Sequence, residues 1–538
     1  MKRKKSMQMV ALMMAAVSLT TSCNATGEEA GTIVIEGELA NVPDSLVIDL
    51  YEQDGNLGSR IDTDTIIGGK FRFEVETEIE EVHSASISNY DIGLQTSDFL
   101  WIEPGAKIRI MGNGLDHSAW QIKSNVAVQK TENQFRKAAQ AERSLLHQIY
   151  MEYYPLTMRL QGGRDGKQRP SSEERKQIQV RRRELANQLD STYKLLSAKE
   201  EALLETMTPD EAWMERLYGL SLESKLKGDT VVRARGIQFY ERVDNRLRAT
   251  YRGQSIANNL FPPQVVKVED MVPEDIELKD TLGNVHRLQE LRGKFLLLDF
   301  WSCGCGPCIM SFPELKELSE QMADSLEVVS ISQDGEKHWK KASAKYNITW
   351  HNWNDLQKDN GIFARFGVQG IPDYFLVSPE GKVIANKGGY GKGVLKPFVL
   401  LNMEKAGKQP TYRTEGDKHI IDYPTVAEEH ISTMYIRRVE LTDKETAVTF
   451  RVFYPSSQWF RISDESHLIT DGNEKLPIRS ASNITLNKRC YTPESNVMEF
   501  TLHFPALPAN AASFSYYEEE NKPDDCWRMI GVKVKSAE

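Results

Sequence analysis

The stretch Phe295-Leu296-Leu297-Leu298-Asp299-Phe300-Trp301-Ser302-Cys303-Gly304-Cys305-Gly306-Pro307-Cys308 decides how the rest of the chain is read. Its apolar first half has the composition of a buried strand, and the Cys-Gly-Pro-Cys falls where that strand ends and a helix begins. A thiol at a helix N-terminus faces unpaired backbone N–H groups and the positive end of the helix dipole, which favours the thiolate. Pro307 suits the first helical turn because its φ is already helical. Cys305 and Cys308 then lie one turn apart, close enough to bridge. Thiol–disulfide exchange is the chemistry this pattern supports.

At 538 residues the chain is too long for a single core, so several domains are expected. With 40% hydrophobic and 27% charged residues, the composition is that of a globular protein. The formal net charge is -10, and without Lys2, Arg3, Lys4 and Lys5 it is about -14, which argues against nucleic-acid binding. Those four residues precede an apolar run from Met7 to Leu19 and then Thr20-Thr21-Ser22-Cys23, the layout of a signal peptide over residues 1–22. The run is short for a membrane span, and no later segment is apolar enough to cross a bilayer.

The six cysteines are Cys23, Cys303, Cys305, Cys308, Cys490 and Cys526, too few for a disulfide-stapled scaffold. Three of them crowd into one motif, so cysteine serves chemistry here. Cys490 and Cys526 either pair or remain separate thiols. No histidine stands at metal-ligand spacing and no glycine-rich nucleotide loop occurs, so neither a metal nor a cofactor is expected.

The expected fold class is multidomain α+β. Residues 31–125 alternate apolar and polar positions, as in Thr32-Ile33-Val34-Ile35-Glu36-Gly37 and Gly69-Lys70-Phe71-Arg72-Phe73-Glu74-Val75, which predicts an N-terminal β-sandwich-like module. Residues 126–258 read as a helical region, with helical spacing over Thr131 to Tyr154 and Ser171 to Met207 and a loop at Gly162 to Gly166. Thr208-Pro209-Asp210-Glu211 reads as a helix start with Thr208 as cap. This region suits a spacer or an arm for a homodimer. A linker, Asn259 to Pro273, leads to an α/β domain over 265–405, in which strands and helices alternate around a mixed, centrally parallel sheet. Strand alternation returns in Ala447 to Phe453 and Met498 to Phe504, which predicts a C-terminal β-sandwich over 409–538.

Asp299-Phe300-Trp301, Cys305-Gly306-Pro307-Cys308 and the distant Gly370-Ile371-Pro372 together resemble the thioredoxin superfamily. Val272-Pro273, Leu288 to Lys294 and Val328-Val329-Ser330-Ile331-Ser332 are similar to the TlpA/ResA type of membrane-attached thiol–disulfide oxidoreductase, within the AhpC/TSA-type branch. The N-terminal strands resemble the β domain of unknown function found ahead of such domains in exported bacterial lipoproteins. Thr20 to Cys23 resembles a loose lipobox, which makes Cys23 the expected site of lipidation and anchoring. The resemblance implies roles for four residues. Cys305 is the attacking thiolate, and Cys308 resolves the mixed disulfide. Asp299 is a buried acid beneath the pair that relays the proton of Cys308, and Pro372 is a cis-proline facing the cysteines. Pro313 is the family's helix-kinking proline.

The partners so implied are a protein disulfide substrate and a membrane thiol that donates electrons, with the protein in the cell envelope outside the cytoplasm. The Gly-Pro pair between the cysteines is that of thioredoxin, a reductant with a potential of about -270 mV, so reduction is the expected direction. Three positions depart from the family pattern: Gly304 replaces an aromatic residue, Ile309 replaces a basic one, and Cys303 adds a third thiol. Cys303 is an inert neighbour, a third redox thiol or, with Cys305 and Cys308, a soft-metal ligand. Two alternatives stand beside the reductase. A thiol peroxidase of the same fold would need a Thr that Trp301-Ser302-Cys303-Gly304 lacks, and a binding lipoprotein would use the β modules without turnover.

Overall fold

The computed structural model describes residues 31–535 apart from 55–56, 77–81, 90–93, 96–99, 162–169, 431–432 and 520–525. The signal peptide, Cys23 and the loop from Gly162 to Gly166 therefore lie outside the described residues. The chain divides into two compact units, Met1–Leu203 and Leu204–Glu538.

In the first unit, a four-stranded sheet and a five-stranded sheet build the β module. The strand Thr32–Ala40 buries Ile33, Ile35 and Leu39 and turns its alternate residues outward, as period-two patterning requires. Helices Val128–Ala138, Gln140–Gln161 and Ser172–Thr206 follow.

The second unit opens with four helices between Glu211 and Leu260. The first, Glu211–Lys227, is capped by Asp210, whose side chain accepts from the Trp213 N–H, and not by Thr208. Asp210 is extended (φ -143°), so Pro209 lies ahead of the cap instead of in the first turn. The expected linker also does more than connect. Val266 and Val272 are buried in the core of the α/β domain, and the Val266 N–H donates to the Arg365 carbonyl.

That domain contains β1 (Phe295–Trp301), α1 (Gly306–Gln321), β2 (Leu326–Ser332), α2 (Glu336–Lys345) and β3 (His351–Trp353). It continues through α3 (Ile362–Arg365), β4 (Asp373–Val377), β5 (Val383–Gly388) and α4 (Leu395–Lys405). The sheet runs β3-β2-β1-β4-β5, with β1, β2 and β3 parallel and β4 and β5 antiparallel. The central strand β1 is buried on both sides, which explains its unbroken apolar run. Leu296, Leu298 and Phe300 enter one core, and Leu297 and Trp301 enter the other beneath α1. Burying each such side chain contributes about 1.5–3 kcal/mol, so this strand anchors the domain. Helix α1 buries Cys308, Phe312, Leu315 and Leu318, a single stripe at helical spacing, and continues through Pro313.

The C-terminal segment is a β-sandwich. A six-stranded sheet supplies Val448, Phe450, Phe500 and Leu502, and a five-stranded sheet supplies Leu468, Phe514, Tyr516 and Met529 to one shared core. Cys490 is a free, half-buried thiol and Cys526 is buried, so the structure does not join them. The whole is a multidomain α+β chain with a thioredoxin-like α/β domain at its centre.

Candidate active site

Cys305 is the N-cap of α1, and its Sγ accepts from the Cys308 N–H at 3.2 Å. The two sulfurs are joined in a disulfide, with Cα atoms 5.3 Å apart. Cys308 is fully buried in the cluster that holds Leu297, Trp301 and Leu315, while Cys305 is half-buried. The pair thus has an outer and an inner sulfur. Two residues beyond, Met310 is exposed.

One row of residues runs across the sheet beneath α1. Asn352, Ser330, Asp299 and Tyr374 are register neighbours on β3, β2, β1 and β4. Parity places Asp299 on the same side of β1 as Leu297 and Trp301, the side on which Cys308 packs. Asp299 is wholly buried; its Oδ2 accepts from the Ser330 hydroxyl at 2.7 Å, and its Oδ1 has no hydrogen-bond partner among the described residues. Burial pushes its carboxyl up to about 7, and the Ser330 hydrogen bond only partly opposes this. Ser330 in turn accepts from the Trp350 indole N–H at 2.8 Å. Tyr374 is also fully buried, and burial with the adjoining Asp299 raises its phenol far above the ordinary range.

A second buried acid holds the loop ahead of Cys305. Asp334 accepts from the Ser302 hydroxyl (2.7 Å), the Cys303 N–H (2.7 Å) and the Ser332 hydroxyl (3.0 Å). Burial and the Asp334 charge push the Cys303 thiol up to about 11, so it stays protonated at neutral pH. Gly304 has open space where a Cβ would stand, so the missing aromatic residue is a choice of surface and not a steric necessity. The Ile371–Pro372 peptide bond is cis, and Ile371 packs in the same apolar cluster as Cys305 and Cys308. The Pro372 carbonyl accepts from the Gly389 N–H at 2.8 Å, which ties this loop to the glycine-rich turn after β5.

The structure therefore brings together Cys305, Cys308, Asp299 and the Ile371–Pro372 loop. Ser330, Trp350 and Asp334 escaped the sequence reading. They stand 31, 51 and 35 positions from Asp299 in sequence. Ser330 meets Asp299, Trp350 meets Ser330, and Asp334 meets the Ser302–Cys303 segment, each through strand register or loop return, so no local pattern marks them. Among the described residues, no group of three His, Cys, Asp or Glu is placed to hold a metal ion.

Residues 268–386 match the AhpC/TSA family. The chain is 27% identical to the thioredoxin-like protein YneN of Bacillus subtilis over 137 residues, which is 25% of this chain and 79% of that protein. It is 28% identical to the thiol–disulfide oxidoreductase ResA of Geobacillus thermodenitrificans over 133 residues, 24% of this chain and 75% of the relative. Among solved structures, the thioredoxin domain of a thiol–disulfide oxidoreductase from Bacteroides vulgatus is 30% identical and covers 25% of this chain and 99% of its own, with a TM-score of 0.23. Through this domain the chain is a TlpA/ResA-like member of the thioredoxin superfamily and a thiol–disulfide oxidoreductase.

Proposed function

We propose that this protein reduces disulfides of other proteins outside the cytoplasm, with Cys305 and Cys308 as the reacting pair and residues 265–405 as the catalytic domain. The observation that carries this reading is the asymmetry of the pair at the head of α1. The half-buried Cys305 Sγ accepts a backbone N–H, and the buried Cys308 lies one turn behind it.

In the reduced enzyme, the Cys305 thiolate attacks one sulfur of the client disulfide. A new S–S bond forms, the client bond breaks, and the second client sulfur leaves as a thiolate that takes a proton from solvent. Cys308 then attacks the Cys305 sulfur, which releases the first client thiolate and closes the Cys305–Cys308 bond. Two electrons have passed to the client. The carboxylate of Asp299, on the Cys308 side of the sheet, accepts the proton that Cys308 must lose. A donor dithiol then returns two electrons to the pair, a role suited to a membrane thiol carrier. The Ile371–Pro372 loop, packed in the same cluster as Cys305 and Cys308, is the place where an extended client segment would lie.

The basic N-terminus and the apolar run before Cys23 support export and lipid anchoring at that residue. Reduction of insulin disulfides tests the activity. Turnover by the wild type and its loss in Cys305→Ser support the reading, and turnover that survives Cys305→Ser contradicts it. Metabolic labelling with a fatty acid, lost in Cys23→Ser, tests the anchor.

A further inference from the structure

The C-terminal β-sandwich carries an exposed aromatic pair that is linked to the Pro372 loop through two hydrogen bonds. Trp459 and Tyr491 are directly opposed on two short antiparallel strands, Trp459–Phe460 and Cys490–Tyr491, so they share a face. Their partners Phe460 and Cys490 turn inward against the sandwich core, whereas Trp459 is 45% and Tyr491 54% exposed. The Arg489 guanidinium lies over the Trp459 ring, 4.7 Å from its centroid.

Connection to the redox centre runs through one loop. The Gly389 N–H donates to the Pro372 carbonyl, and three residues later the Lys392 carbonyl accepts from the Gln458 side chain at 3.4 Å. Gly393 completes the contact. Its φ is 81°, and a Cβ there would stand 3.3 Å from Pro455. Gln458 is the neighbour of Trp459. With about 3.5 Å per residue of extended chain and about 5 Å for the Gln458 side chain, the path from Pro372 to Trp459 spans at most about 30 Å, the length of roughly nine residues of strand.

The chain has 77 acidic residues and a net charge of -10, and the segments 387–396 and 485–493 hold Lys387, Lys392, Lys396, Lys488 and Arg489, with the acids Glu314 and Glu494 beside them. Lys396 is paired with Glu317. Lys392, Lys488 and Arg489 are exposed. Two exposed rings beside cations that make no salt bridge among the described residues suit a segment that offers apolar side chains and carboxylates together.

We propose that the Trp459–Tyr491 face, with Lys392, Lys488 and Arg489, is a docking site for an extended, acidic and apolar segment of the client polypeptide that flanks its disulfide. This rests on the reading of Cys305 as the thiol that attacks that client. A free carboxylate-bearing small molecule would share the charge but not the apolar contact, and the test separates the two.

The test uses the full chain with Cys305→Ser and Cys308→Ser, so that binding is read without turnover. Anisotropy is measured for a fluorescein-labelled ten-residue peptide bearing Leu, Phe and four Asp or Glu, and for its counterpart with the acids replaced by Lys. Binding of the acidic peptide at least tenfold tighter, weakened fivefold or more by Trp459→Ala with Tyr491→Ala and reversed in preference by Lys488→Glu with Arg489→Glu, supports the proposal. Equal binding of the two peptides, or affinity unmoved by either pair of substitutions, overturns it. Loss of binding in the charge-reversed pair alone, with the aromatic pair without effect, would show simple anion attraction and also overturns it. Far-ultraviolet circular dichroism of each variant controls for folding. Failure of insulin reduction by the unsubstituted protein would count against Cys305 as the attacking thiol and leave the anisotropy result standing as a measure of docking.

Discussion

Ser330 gives its only hydroxyl proton to Asp299 Oδ2, because the lone pair it turns toward Trp350 is already receiving the indole N–H. The proton that Asp299 binds therefore belongs on Oδ1, the carboxyl oxygen with no partner among the described residues. Ser330 and Trp350 thus act as positioning residues for the buried acid, and both are remote from it in sequence.

Ser330→Ala removes the one hydrogen bond that opposes burial, so the Asp299 carboxyl rises further above 7. A hydrogen bond to a charged group is worth about 1.5–3 kcal/mol, so the shift should be on the order of one pH unit. Tyr374 on β4 and Cys308 on α1 lie on this side of the sheet with it, as do Cys303, Cys305, Tyr346 and Tyr390. The step to follow is release of a labelled client from its mixed disulfide, measured against pH. Its midpoint should move to higher pH in Ser330→Ala and by a smaller amount in Trp350→Phe.

Asp299→Asn should change how stability depends on pH. The folded carboxyl titrates near 7 and the unfolded one near 3.8, so between these values the folded state binds more protons. Stability from this group is complete below about pH 4 and is lost as pH rises through 7, by about 4 kcal/mol in all. Urea unfolding of wild type and Asp299→Asn from pH 4 to 8 checks this. The difference between the two should grow in favour of Asn as pH rises. Glu518, which burial also holds near 7, contributes equally to both proteins and cancels.

Asp334 suppresses the extra thiol in the motif. Asp334→Asn removes the charge that helps push Cys303 up to about 11, so its reactivity should rise. Alkylation of Cys303 in a Cys305→Ser, Cys308→Ser background at pH 8 should accelerate several-fold. Asp334→Ala should, in addition, slow attack by Cys305 in the otherwise unaltered enzyme, because the Ser302–Cys303 segment loses its anchor.

Glu314 ties the cysteine helix to α4. Its carboxylate accepts from the Gly393 N–H (3.1 Å), the Lys396 N–H (2.9 Å) and the Tyr390 hydroxyl (3.2 Å), and so serves as a cap for a helix on which it does not lie. Glu314→Ala should cost about 2 kcal/mol in chemical unfolding, the upper end of a helix-cap loss. Glu314→Gln should recover less than half, since an amide is a weaker acceptor for three donors.

The legible parts of this chain were those with a local signature. The Cys305–Cys308 spacing, the apolar run before it and the alternation in Val448 to Val452 each report their own neighbourhood, and each element formed as read. Asp299 was legible through the resemblance, which implies a buried acid on the strand that leads to the cysteines. Ser330 and Trp350 were not, because a lone serine in a strand carries no mark of the aspartate beside it in the next strand. The misassigned cap at Thr208 has a similar cause. In Thr208-Pro209-Asp210-Glu211, two residues can cap, and the choice falls to Asp210 through the place where Trp213, fully buried, enters the helical core.

The most direct test of the account is a titration of Cys305 itself. In reduced protein with Cys303→Ser and Cys308→Ser, the rate of Cys305 alkylation by iodoacetamide is followed from pH 4 to 10. A thiol held at the head of α1 should give a midpoint at least one unit below the ordinary value of about 8.5. A midpoint at or above that value would contradict the assignment of Cys305 as the attacking thiolate.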